Sequence, residues 1–145
     1  MLNLSSESRL KNVTFASKAK QLYKKLKTPI EDIRAYGVKN LINDEIFPIN
    51  LKTTNFNFVP NLTAHLLAGG YFYAYLSEYY DYHNVKYPKL LAFATVSIKN
   101  ISNEIIETPL YNYPRVDHLT DLFFWDLMGI LVFSSNHVKY FLVRH

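Results

Sequence analysis

Residues 119–133 form the most apolar run of the chain, Leu-Thr-Asp-Leu-Phe-Phe-Trp-Asp-Leu-Met-Gly-Ile-Leu-Val-Phe, and two aspartates, Asp121 and Asp126, lie inside it. Such a segment belongs in a protein core or a bilayer. An ionised carboxylate there is costly unless a proton, a cation, water or a hydrogen-bond donor satisfies it. Glu104, Glu107 and Asp117 sit at the edges of the same apolar region. Any fold open to this chain must therefore bring partners to its acids, and they belong either to a site or to a structural polar network.

The length of 145 residues is that of one domain. At 49% apolar and 16% aromatic the chain is too apolar to be disordered. The aromatic excess, 12 Tyr and 10 Phe, suits a surface with one apolar and one wet side, a membrane interface included. A Tyr-rich soluble core from an A/T-rich genome gives the same composition. With no cysteine, disulfides, thiolate metal sites and Cys nucleophiles are excluded. The charge is uneven: residues 1–52 carry 10 Lys/Arg against 5 Asp/Glu, the remainder 6 against 7. A basic front on an apolar body fits attraction to anionic lipid, although a solvated helix face has the same look. No basic-aromatic motif points to nucleic acid. No signal peptide is visible. The apolar ending, Val138 to His145, suggests a continuation.

The periodicity predicts a mostly α fold, a small bundle of five or six helices. Residues 1–13 read as a flexible N-terminus, 14–54 as basic amphipathic helices and a connector, and 55–145 as an apolar helical core. Phe15, Ala19, Leu22 and Leu26 make an apolar stripe on a helix from Thr14 to Lys27, ringed by lysines. Thr28 and Pro29 open a second helix, with Glu31 and Asp32 in its first turn, to about Asn43. Residues 44–60 have no clear period and read as an extended connector or short strand. Three apolar helices follow, at 61–81, 88–108 and 118–134, and a short one near 136–143. A bilayer span needs about 20 apolar residues. The cleanest stretches here are roughly 14–17, so the three are either short membrane-embedded helices or buried helices of a soluble bundle.

The candidate site residues are His65, Asn103, Glu104, Glu107, Asp121 and Asp126. His65 heads a helical stripe with Gly69, Phe72 and Leu76. Gly69 and Gly70 in mid-helix, and Gly129 three residues after Asp126, mark places where a partner backbone comes close. Ser97, Asn100, Asn103, Glu104 and Glu107 share one face of the second apolar helix. A surface helix would show that pattern too, but with Lys-Glu pairs rather than Ser and Asn. Asp117 and Asp121 lie one turn apart; Asp117 suits a capping role. At α-helical spacing Asp126 falls about 140° around from Asp121. One imidazole with several carboxylates has the ligand chemistry of Mg²⁺, Mn²⁺, Zn²⁺ or Fe. A buried protonated carboxyl could equally donate a hydrogen bond. No HExxH spacing, nucleophile elbow, P-loop or dinucleotide fingerprint is present.

The order His65-(x)3-Gly69-Gly70, Asn103-Glu104-(x)2-Glu107, then Asp117-(x)3-Asp121-(x)4-Asp126-(x)2-Gly129-(x)3-Phe133-Ser134-Ser135 resembles a group of uncharacterised bacterial proteins common in Bacteroidota. More distantly it is similar to VanZ-like membrane proteins. The resemblance covers roughly residues 55–145. It implies a small helical membrane-associated unit, with His65, Glu104, Glu107, Asp121 and Asp126 as the shared polar set and no established activity. The chain departs from the VanZ-like pattern at Asp126, where an Asn-like residue is usual, and it lacks that group's first full-length spans. The expectation is a membrane-associated protein whose partners are lipids, another membrane protein or a C-terminal continuation. Its semi-buried site would take a divalent metal ion or a polar headgroup. The alternative is a structural module in which the same residues fix helix register.

Overall fold

The computed structural model describes residues 14–47, 58–108, 116–138 and 140, and among them every regular element is helical. Helix α1, Phe15–Lys27, begins where Thr14 accepts a hydrogen bond from the Ser17 N–H. Helix α2, Pro29–Tyr36, starts with Pro at its first position and two acids in its first turn. It stops at Gly37, whose φ of 93° is open to glycine and strained for other residues. The second helix is thus broken where the periodicity predicts continuity. A further helix, α3 (38–46), carries the chain through Ile46 and replaces the expected extended connector at 44–46. Most of that connector, 48–57, lies outside the described residues, as do the expected N-terminal segment 1–13 and, of the short helix expected near 136–143, residues 139 and 141–143; that segment is helical at 136–138.

The three apolar segments become helices α4 (58–82), α5 (Pro88–Glu107) and α6 (117–133). Helix α4 packs along both α5 and α6, α1 lies across α5, and α3 meets the start of α6. Tyr73, Ala92 and Val96 form the core between α4 and α5. The Trp125 indole N–H donates to the Glu45 carbonyl at 3.0 Å and ties α6 to α3. None of the helices among the described residues is long and apolar enough to cross a membrane. The helical bundle is as expected, and nothing in these helices supports the membrane-embedded form of that expectation. The reason is visible in α5, the longest uniform helix, which carries Lys89, Lys99, Glu104 and Glu107 within its 20 residues.

Three stretches hydrogen-bond five residues back rather than four: Leu41–Ile46, Asn61–Gly69 and Asp121–Trp125. These wider turns are uncommon and concentrate at functional sites. Here each carries a buried or half-buried ionisable residue: Asp44 and Glu45 in the first, His65 in the second and Asp121 in the third.

The α4–α6 crossing is set by glycine. A Cβ on Gly70 would collide with Phe133 and lie 2.6 Å from the Gly129 carbonyl oxygen; one on Gly129 would lie 2.7 Å from the Leu66 carbonyl oxygen and 3.0 Å from that of His65. At Gly69 the nearest atom would be an ordinary 3.6 Å away. So Gly70 and Gly129 hold two backbones in contact, while Gly69 does not need to be glycine for space. Gly70→Ala and Gly129→Ala should each destabilise the fold by about 1–3 kcal/mol through overpacking. Gly69→Ala should be neutral or stabilising by up to about 1 kcal/mol, since Ala is the better helix former. Urea unfolding of the three variants measures this contrast.

Candidate functional site

The crossing places His65, on the wide-turn part of α4, directly against α6. Its Nδ1 lies 2.9 Å from Asp126 Oδ1 and its Nε2 lies 3.8 Å from Asp121 Oδ2. The two aspartates reach one imidazole because residues 121–125 are wound with the wider turn. The Asp126 N–H bonds to the Asp121 carbonyl, five residues back, so positions five apart stand about one turn above each other. On a regular α-helix they would diverge, as the spacing predicts.

Helix α5 contributes Glu104, 2% exposed. One of its oxygens, Oε2, is 2.8 Å from His118 Nδ1, and the other, Oε1, is buried with no hydrogen-bond partner. Lys25 of α1 reaches His118 Nε2 at 3.4 Å. An ammonium only donates, so His118 Nε2 accepts and the ring hydrogen on Nδ1 is donated to Glu104. Asp121 Oδ1 is likewise buried and without a hydrogen-bond partner. Ligand atoms of His65, Glu104 and Asp121 all lie within 4.8 Å of one another. Three helices therefore aim one nitrogen and two oxygens at a common point. Asp126 stands behind the nitrogen and His118 behind one of the oxygens.

The surroundings are strongly acidic. Glu45, Glu104, Asp121 and Asp126 are all buried. Burial pushes the Asp121 carboxyl up to about 8; His65 opposes the rise, and Glu104, Asp117 and Glu45 add to it. Burial works against a charge on His65, but the Asp126 hydrogen bond and the nearby charges of Asp121, Asp126 and Glu104 outweigh it, and the imidazole is held above its ordinary value. Nearby, Tyr36 donates to Asp44 at 3.2 Å, and burial together with Glu45 and Asp44 raises its hydroxyl too.

Of the six residues expected to form the site, His65, Glu104, Asp121 and Asp126 come together. Asn103 and Glu107 do not: both are exposed. Asn103 is turned about 100° from Glu104 around α5, and Glu107 is the last residue of the helix. The stripe is wider than the surface that α4 and α6 cover, so only Asn100 and Glu104 are buried in it. Asp117 occupies the first turn of α6, where its charge faces the helix N-terminus, and the cap residue itself is Val116. Sequence reasoning missed His118, Glu45 and Lys25 as site residues. His118 lies in the apolar segment just before Asp121, and an imidazole buried at that place was the available signal. Lys25 looked like one more lysine of a solvated face.

Comparison with known proteins finds no matching family model, no similar curated protein and no similar solved structure. The resemblance to VanZ-like proteins thus rests on the order of the His, Glu and Asp positions alone.

The electrostatics set a pH dependence. Between its ordinary 3.8 and about 8, Asp121 binds a proton in the folded chain that the unfolded chain has lost. A carboxyl raised in this way contributes stability that is fully present below pH 3.8 and lost as the pH rises through about 8. His65, raised above 6.5, acts in the same direction, its contribution present below 6.5 and lost above. Urea midpoints measured in chelator should therefore fall from pH 5 to pH 8.5, and Asp121→Asn should flatten that slope.

Proposed function

We propose that His65, Glu104 and Asp121 form a binding site for one divalent transition-metal ion. The observation that carries the reading is the convergence of the three ligand atoms within 4.8 Å, with buried oxygens of Glu104 and Asp121 that have no hydrogen-bond partner. Buried acceptors rarely stay unpaired, and a cation satisfies both at once. The outer contacts fit as well. A ligating imidazole usually gives its other N–H to a carboxylate, and here Asp126 faces His65 Nδ1, which leaves Nε2 for the metal. His118 occupies Glu104 Oε2, which leaves Oε1. One nitrogen and two carboxylate oxygens suit Zn²⁺, Mn²⁺ or Fe²⁺ better than an all-oxygen Ca²⁺ site. Three protein ligands leave coordination positions for water or a substrate oxygen, the arrangement of hydrolytic metal centres. If a reaction occurs, hydrolysis or group transfer at an anionic oxygen substrate is the chemistry such a centre supplies.

A second reading has its own observation. The 3.8 Å approach of His65 Nε2 to Asp121 Oδ2 is an ion pair that needs no metal, and with the His118–Glu104 bond it would form a network fixing helix register. Titration of chelator-treated protein with Zn²⁺ and Mn²⁺, followed by calorimetry, separates the two. The metal reading expects one ion per chain, a rise in melting temperature with added metal, and affinity lost in Glu104→Gln and Asp121→Asn while circular dichroism stays unchanged. Asp126→Asn should weaken binding about 10- to 100-fold as an outer-contact change. No binding by the wild type, together with unfolding of both ligand variants, would establish the network instead.

A further inference from the structure

Helix α1 divides its lysines between two tasks. Lys18 reaches the Ile106 carbonyl on α5 and Lys25 reaches the buried His118, so both are engaged with the rest of the protein. Lys20, Lys24 and Lys27 are exposed and make no ion pair among the described residues. The helix contains no acid to neutralise them. Tyr23 lies on the same outer side, 67% exposed.

The neighbouring surface is apolar. Leu26 forms one wall of a groove of about 240 Å³ between α5 and α6, whose far wall is Phe123 and Leu127. Phe123 is 60% exposed, Leu127 44%, and Leu131, one turn on, 70%. Phe123 also borders a second apolar groove of about 360 Å³, lined by Pro29, Ile33 and Leu41. The Phe123 ring is therefore a ridge between two troughs on either side of the α1–α2 corner. Around α1, Tyr23, Lys27, Lys20 and Lys24 follow Leu26 within about 160° in one direction, and all stop short of the inward-facing Lys25. Lysines and apolar side chains thus share one continuous face. An exposed apolar patch of this kind marks an interaction surface.

We propose that this face, the outer side of α1 with the Phe123–Leu127–Leu131 edge of α6, docks on the surface of an anionic bilayer. Charge selects the occupant. A second copy would set lysines against lysines, whereas acidic headgroups complement them while the apolar edge enters the headgroup–acyl boundary. The docking is peripheral, requires no spanning helix, and is independent of what the His65 centre holds. Sedimentation with vesicles tests it. The chain should pellet with a phosphatidylcholine–phosphatidylglycerol mixture and remain in solution with phosphatidylcholine alone, and binding should weaken as salt rises. The triple variant K20Q/K24Q/K27Q should lose about 100-fold in affinity for the mixed vesicles. The pair F123S/L127S should lose binding with unchanged circular dichroism. Equal recruitment to neutral vesicles, no recruitment at all, or wild-type binding by the triple variant would overturn the proposal. So would a dimer in sedimentation equilibrium that F123S/L127S dissociates, which would give the face to a second copy.

Discussion

The backbone contact between Gly70 and Gly129 is the constraint on which the rest of the structure depends. With no Cβ between them, α4 and α6 approach until Gly129 lies against the carbonyls of His65 and Leu66. That distance brings His65 within reach of Asp121 and Asp126. A bulkier residue at either glycine would move the imidazole away from both acids, leaving buried carboxylates with nothing to answer them. The packing of the crossing and the electrostatics of the site are one problem with one solution.

The second constraint is the imbalance of buried charge. Among the described residues four carboxylates are buried, and around them stand the imidazoles of His65 and His118 and the half-buried ammonium of Lys25. Hydrogen bonds answer part of it: Asp126 faces His65, and Glu104 accepts from His118. Protonation answers another part, since burial holds the Asp121 carboxyl up to about 8. What remains are two buried oxygens without hydrogen-bond partners, one on Glu104 and one on Asp121, the two acids that converge with the His65 imidazole. A chain that needed these residues only for packing would be more stable with apolar ones of similar volume. This is the physical ground for reading a binding centre there. The same ground explains why the helices adopt the wider turn where Glu45, His65 and Asp121 lie, because local backbone regularity gives way to the placement of charged groups.

Helix α1 links the site to the surface. Its inward lysine supports His118, which in turn orients Glu104, while its outward lysines stand beside an apolar edge of α6. One short amphipathic element therefore presents two chemistries on opposite sides, as its 3.6-residue period requires.

Much of this was legible in the chain itself. The helical character of 61–81, 88–108 and 118–134, the start of the second at Pro88, and the demand that Asp121 and Asp126 find partners all follow from local patterns and from the cost of burying charge. So does the close crossing at Gly70 and Gly129, because glycine in mid-helix has few other uses. The pairing of both aspartates with one histidine was not legible, since it depends on five-residue turns that a 3.6-residue period cannot show. Nor was the loss of Asn103 and Glu107 from the site, which depends on how much of α5 its neighbours cover. Lys25 carries no local signal of its role, and His118 only its place in an apolar segment; His118 meets Glu104 and Lys25 because helices distant in sequence are brought together. Periodicity fixes which way a side chain points from its own helix, and only packing between helices decides what it meets.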